Sequence, residues 1–194
     1  MCPRAGRAKP LDPHQRRESI LDAALPLILA HGADMTTKQL AEAAGLAEGT
    51  LFRVFEDKQA IIDAAVARYM DPAPTIAAID AIDPHASLES KLLSVVDIVT
   101  ARFAGVTGIL TALGLREPPA PLRPGAEASA RARAATTALF EAHRDELRVA
   151  PELVLHVVRL LCFAAAFPAI AHGRETTAAE IVDLVLHGVA KKEI

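Results

Sequence analysis

The chain has 194 residues, 52% hydrophobic and 23% charged, with a formal net charge of -3. That much apolar material excludes a disordered chain and suits one large domain, or a small domain joined to a larger one. Two cysteines, Cys2 and Cys162, with no Cys-x-x-Cys pair exclude a disulfide framework and the usual zinc ribbons.

Residues 1–17 carry Arg4, Arg7, Lys9, Arg16 and Arg17 against Asp12 alone, whereas residues 71–194 hold 12 Lys and Arg against 15 Asp and Glu. A basic arm ahead of a mildly acidic body confines any polyanion contact to the N-terminal end. No apolar stretch follows the first basic residues, so no secretory signal is expected. Next, Ile20, Ala23, Ala24, Leu27 and Ile28 recur at helical spacing, with Gly32 as the stop. Thr36 and Gln39 form a capping box for a short helix through Ala44 that ends at Gly45. A further helix is predicted from Glu48 to Phe55. Asp57 caps another whose apolar positions include Ile61, Ala65 and Tyr69. Pro72 and Pro74 then break the pattern and mark a boundary.

Ser87 caps a long helix with Leu88, Leu92, Val95, Val96, Val99 and Phe103 in a stripe, weakened by Gly105 and Gly108. The proline-rich segment from Glu117 to Gly125 reads as a loop, and Glu127 to Leu147 as an amphipathic helix. Pro151 opens a helix running towards His172, kinked at Pro168 and stopped by Gly173. Its stretch from Leu153 to Ala171 is the most apolar of the chain. His156 and Arg159 interrupt it, leaving a run from Leu160 to Ala171 too short to span a bilayer. Thr177 and Glu180 form a second capping box for a last helix towards Lys191 and Lys192. The predicted fold class is all-α: an N-terminal helix-turn-helix module followed by a larger helical bundle. The expected divisions are a flexible basic arm over 1–14, a helix-turn-helix domain over 15–71 and a C-terminal domain over 72–194. The expected location is the cytoplasm, with no membrane partner.

The informative segment runs from Thr36 to Lys58. A helix-turn-helix needs a small residue where its helices nearly touch, a residue tolerating positive φ in the turn, and apolar anchors on both helices. Ala41 supplies the first and Gly45 the second, while Leu40, Ala44, Leu46, Leu51 and Val54 supply the anchors. The opposing faces carry Thr37, Lys38, Glu48, Thr50 and Arg53, groups able to reach phosphates or base edges. An ordinary helical hairpin is the plainer alternative.

From Thr36 to Lys58, with the Gly49-Thr50-Leu51-Phe52 core, Phe55 and the Asp57-Lys58 pair in register, the sequence resembles the TetR family of transcriptional regulators. The resemblance covers roughly residues 15 to 70. It implies a homodimer with one helix-turn-helix per subunit, bound to a pseudo-palindromic operator of double-stranded DNA and usually repressing. Thr37 and Lys38 would then hold phosphate from the supporting helix. Glu48, Gly49, Thr50 and Arg53 would lie on the recognition helix, and Lys58 would anchor the DNA backbone. Phe52 stands where the family commonly has Tyr, and Val54 replaces a more polar or aromatic group. Both changes weaken backbone contact and leave Lys38, Lys58 and the basic arm to compensate. Glu48 either accepts from cytosine N4, pairs with Arg53 or caps its helix, and capping or pairing is the favoured reading.

Such regulators sense small molecules in the larger domain, so the bundle is expected to serve ligand sensing and dimerisation. Candidate ligand-binding residues are Arg102, Phe103, Phe140, His143, His156, Arg159 and Phe163, with His156 and Arg159 foremost because they interrupt an apolar helix. Seven aromatic residues and no Trp favour a mostly aliphatic lining, hence an unidentified effector that is apolar or amphipathic. The last two helices carry more apolar surface than one core-facing stripe needs. Leu160, Ile181, Val182, Val185, Leu186 and Val189 are therefore the expected dimer contacts. No catalytic residue, cofactor or metal site is expected: the seven histidines are scattered and no catalytic motif occurs, while Cys162 reads as packing. The alternatives are a metal-responsive regulator in which His143 and His156 converge, and a helical enzyme without a recognisable motif.

Overall fold

The computed structural model describes residues 12–120, 123 and 125–188. Its described residues form helices and connections with no strand. The arm residues Arg4, Arg7 and Lys9, the loop residues Pro121, Leu122 and Pro124, and Val189, Lys191 and Lys192 lie outside the described residues.

Contacts divide the chain after Tyr69, and the segment Thr111–Glu117 groups with the first unit. The segment begins at the far end of a long helix. In the first unit, α1 (Pro13–His31) starts at Asp12, whose carboxylate accepts from Gln15 N at 2.8 Å while the Gln15 side chain accepts from Asp12 N. Ile20, Leu21, Ala24 and Ile28 are buried along one face. Gly32 ends the helix at φ +58, and a Cβ there would lie 2.1 Å from the carbonyl oxygen of Ala112. This close approach and the positive φ both require glycine. The helices α2 (Thr37–Ala43) and α3 (Glu48–Leu51) follow, and α4 (Lys58–Met70) starts beneath Asp57, which accepts from Ala60 N at 2.7 Å. Arg68 of α4 donates to Glu18 at 2.8 Å and also to Asp22, tying α4 to α1. Hydrogen bonding to Asp22, then the charges of both carboxylates, hold its guanidinium above the ordinary arginine range.

The second unit opens with α5 (Ala73–Asp80), a helix where the sequence predicts only a break. Pro72 is its N-cap and Pro74 sits in its first turn, where a missing N–H costs nothing. α6 (Leu88–Ala112) runs unbroken through Gly105 and Gly108. By length and composition α6 is apolar enough to cross a membrane. Here its Leu88, Leu92, Val95, Val96 and Val99 build the core of the unit with Phe140, Val154, Val158, Cys162, Ile181 and Val182.

α7 (Ala126–Glu141) ends six residues before the predicted Leu147, and a 3-10 turn follows over Arg144–Glu146. α8 (Pro151–Ala166) does not kink at Pro168 but stops: Phe167 is extended at φ -103 and ψ 104, and α9 (Pro168–Ala171) begins anew. A residue before proline is driven from the helical region by the ring Cδ, which accounts for the break. α10 (Ala178–His187) carries the expected capping box and closes at Gly188. α7 packs against α5 and α8, and α8 against α10.

Candidate nucleic-acid interface and sensing site

The helix-turn-helix is built from short-range bonds. Thr36 Oγ1 accepts from Gln39 N at 3.1 Å, and Gln39 Oε1 accepts from Thr36 N at 2.8 Å, which sets the start of α2. Leu40, Ala41 and Leu51 are buried between the helices. Gly45 turns the chain at φ +66, and Leu46 N donates to Ala41 O at 2.9 Å. Ser19 of α1 donates to Ala44 O at 3.4 Å, so the turn is held from outside as well.

α3 is shorter than the predicted span to Phe55. After Leu51 the bonds tighten to i→i+3, from Arg53 N to Thr50 O and from Val54 N to Leu51 O. Arg53 therefore projects from the turn after the recognition helix, not from its body. Lys38, Glu48, Gly49, Phe52 and Arg53 are exposed, while Thr37, Thr50 and Lys58 are half-buried. Phe52 leaves half its surface to solvent (49%), although it is a large apolar ring. A Cβ at Gly49 would meet nothing within 4 Å, so no packing in the subunit demands glycine there. Arg17 lies 4.4 Å over the ring of Phe55, placing a guanidinium on the same unit.

Two of these residues are engaged within the module. Thr37 Oγ1 donates to Glu48 Oε1, joining the first turns of α2 and α3. Ala47, not Glu48, is the N-cap of α3, and Glu48 makes no ion pair with Arg53. The favoured capping or pairing reading of Glu48 is thus replaced by a bond to Thr37. Lys58 Nζ donates to Ala33 O at 2.8 Å, which fastens the start of α4 to the turn after α1. The fold-holding work of Thr37 and Lys58 was invisible in sequence because both partners are brought near only by the turns.

In the second unit the ligand candidates separate. Arg102, Phe103 and Arg159 line a cavity of about 270 Å³ together with Arg133, which was not among the expected ligand contacts. The signal was present. Ser129, Arg133, Thr136 and Phe140 share one helical face, and Thr136 and Phe140 are buried. Arg102 Nη2 donates to Met70 O at 2.7 Å, and Arg159 Cζ lies 5.5 Å over the Phe103 ring. His156 is exposed and lines a different groove of about 620 Å³ with Arg159, Arg133, Glu141 and Glu152, between α7 and α8. It interrupts an apolar helix because it faces outward, not because it is buried.

Three candidates line neither of these two cavities. Phe140 is fully buried in the core. Phe163 is exposed, edge-on to Phe103 at 5.5 Å and stacked on Phe167 at 5.6 Å. His143 joins a buried chain: Lys91, 1% exposed, donates from Nζ to Pro84 O at 2.7 Å and to His143 Nε2 at 3.0 Å. An ammonium only donates, so Nε2 must accept and the ring proton sits on Nδ1, 2.6 Å from Glu146 Oε1. His143 and His156 therefore do not meet. No three His, Cys, Asp or Glu side chains gather as possible metal ligands among the described residues. Cys162 is buried with Sγ 3.8 Å from Val96 O, and burial pushes its thiol up, away from thiolate chemistry.

The expected dimer contacts divide as well. Ile181 and Val182 are core residues, while Val185 and Leu186 are half-buried. Leu160 is exposed, and Leu153 and Val157 continue its stripe on α8, with Leu184 exposed on α10. Leu153, Val157, Leu184, Val185 and Leu186 line a groove of about 430 Å³. An apolar helix with residues on all sides does not reveal which side faces inward, and packing against α6 and α10 settles it.

Comparison with known proteins agrees with the geometry. Residues 20–65 match the model of bacterial regulatory proteins of the tetR family. No curated protein matches. Among solved structures, the transcriptional regulator FadR of Bacillus subtilis, crystallised with stearoyl-CoA, is 18% identical over 89% of this chain and 99% of its own, with a TM-score of 0.60. A TetR-like regulator of a Rhodococcus is 18% identical over 91% and 96%, with a TM-score of 0.57. The fatty acid degradation regulator FadR of Bacillus halodurans is 20% identical over 93% and 98%, with a TM-score of 0.51. At these identities the likeness is one of fold. The tetR-family model thus covers the helix-turn-helix segment, and the fold of TetR-like regulators extends over nearly the whole length of this chain.

Proposed function

We propose that the protein acts in the cytoplasm as a homodimeric repressor that leaves a pseudo-palindromic operator when a small apolar or amphipathic effector enters its C-terminal bundle. The observation that carries the DNA-binding face is the exposed set Lys38, Gly49, Phe52 and Arg53 around α3, including an aromatic ring and a glycine with no partner inside the subunit. A Cβ-free position and an exposed ring suit close approach to a phosphate backbone, and Arg53 suits a base edge. Residues 15–71 serve this contact with help from the arm over 1–14, and residues 72–194 serve sensing and pairing.

The exposed stripe of Leu153, Val157 and Leu160 with Leu184 is an apolar surface at helical spacing, which a second copy would bury under two-fold symmetry. A dimer presents two modules to successive major grooves, roughly 34–36 Å apart. An effector reverses the balance fully only by preferring the released state by about 5.5 kcal/mol. The FadR structure with stearoyl-CoA supports an amphipathic effector on this fold.

Selection from a random duplex library tests the reading. The intact protein should enrich a palindromic sequence, and Arg53→Ala should cost about 1–3 kcal/mol at that site and relax its selectivity. Leu160→Glu should yield monomers by sedimentation that no longer hold the operator. Absence of any enriched sequence, together with binding that does not respond to salt, would remove the proposal.

A further inference from the structure

We propose that the cavity among α6, α7 and α8 is a receptor for a small apolar carboxylate, its head held by Arg133 and Arg159 and its body laid against Phe103, Val99 and Val106. This rests on the effector-gated reading and names the effector's class.

Charge is the first argument. The cavity is lined by Arg102, Arg133 and Arg159 and by no carboxylate. Its neighbours are mixed: the α7–α8 groove sets Glu141 and Glu152 beside the same two arginines, and a groove between α5 and α7 sets Asp71 and Asp80 against Arg131. Three guanidinium groups around one cavity in a chain of net charge -3 make a local anion site.

Donor availability is the second. Neither Arg133 nor Arg159 forms an ion pair with a described carboxylate. Arg159 Cζ lies 5.5 Å over the Phe103 ring, a contact that takes up no hydrogen-bond acceptor. A planar fork matches two carboxylate oxygens, and a pair of forks brackets them. Both arginines are exposed, whereas Val99 is buried and Phe103 and Val106 are half-buried, so a bound molecule would keep its charged head near water and its body inside.

Size is the third. At roughly 30 Å³ for a water-sized group, about 270 Å³ holds about nine non-hydrogen atoms, the size of benzoate.

The test uses the full chain with benzoate, phenyl phosphate and the neutral benzyl alcohol, by calorimetry. Benzoate should bind at least about tenfold more tightly than either of the others. The double variant Arg133→Gln with Arg159→Gln should lose that preference, keep its helical circular dichroism and still take up benzyl alcohol. Val106→Phe, which fills the cavity, should abolish uptake of both. Equal affinity for benzoate and benzyl alcohol, a preference for phenyl phosphate, no heat with benzoate at millimolar concentration, or a double variant that binds benzoate unchanged would each overturn the proposal. Operator release is read separately. Binding of benzoate without release leaves the carboxylate site standing and removes effector gating, whereas release by a neutral compound with no benzoate binding does the reverse.

Discussion

Both units have a buried apolar core, and they differ in their polar ties. In the first, the ties lie near the surface: capping boxes at Asp12 and Thr36, and the exposed link from Arg68 to Glu18 and Asp22. In the second, a charged group is withdrawn from water: Lys91 donates to a carbonyl and an imidazole. A surface device is individually cheap to lose, because water replaces the missing partner. A buried one is expensive, because nothing does. The first unit thus adds several exposed polar ties to its core, whereas the second adds a buried one.

Single substitutions press on that contrast. The largest loss is expected for Gly32→Ala, an exception inside the first unit, where a Cβ would collide with the Ala112 backbone. It should cost about 3 kcal/mol or more, read as a fall in the urea midpoint. Gly45→Ala is its control, with a similar φ and open space around it, and should cost only about 1 kcal/mol. Equal costs for the two would show that backbone conformation, not the approach of Ala112, makes glycine necessary at 32. Next comes Lys91→Met, which keeps the stem but removes the donor that Pro84 O and His143 Nε2 share. A loss of about 1–3 kcal/mol is expected, and no loss would mean that the buried chain contributes nothing net.

Thr177→Ala removes the N-cap of α10 and should cost about 1 kcal/mol. The same cap predicts a pH response. The backbone N–H of Thr177, then Arg174, hold the Glu180 carboxyl below its ordinary value. A lowered folded pKa means that stabilisation is present above the unfolded value and is lost as pH falls through the folded one. Amide exchange at the start of α10 should therefore quicken on acidification through that range, and much less so in Glu180→Gln. The smallest effect belongs to Arg68→Met, whose partly exposed ion pairs should be worth under about 1 kcal/mol and fade with salt. A cost above that of Lys91→Met would invert the comparison between the units.

What was legible in the residues follows this same division. The sequence by itself determined the all-helical class, both capping boxes at Thr36 and Thr177, the turn at Gly45 and the family signature. Each depends on bonds spanning three or four residues, or on one residue's backbone freedom. Only the tertiary structure decided that Ile181, Val182 and Phe140 face inward while Leu153, Val157 and Leu160 face out, since apolar residues around a whole helix carry no direction. It decided too that Arg133 joins Arg102 and Arg159 at one cavity while His143 leaves it for Lys91. The start of α5 at Pro72, the stop of α8 at Phe167 and the shortness of α3 also needed the fold. A proline reads alike as a breaker or a first turn until its neighbours are placed. A helix end is set by whether the next carbonyls find a donor, which depends on residues far away in the chain.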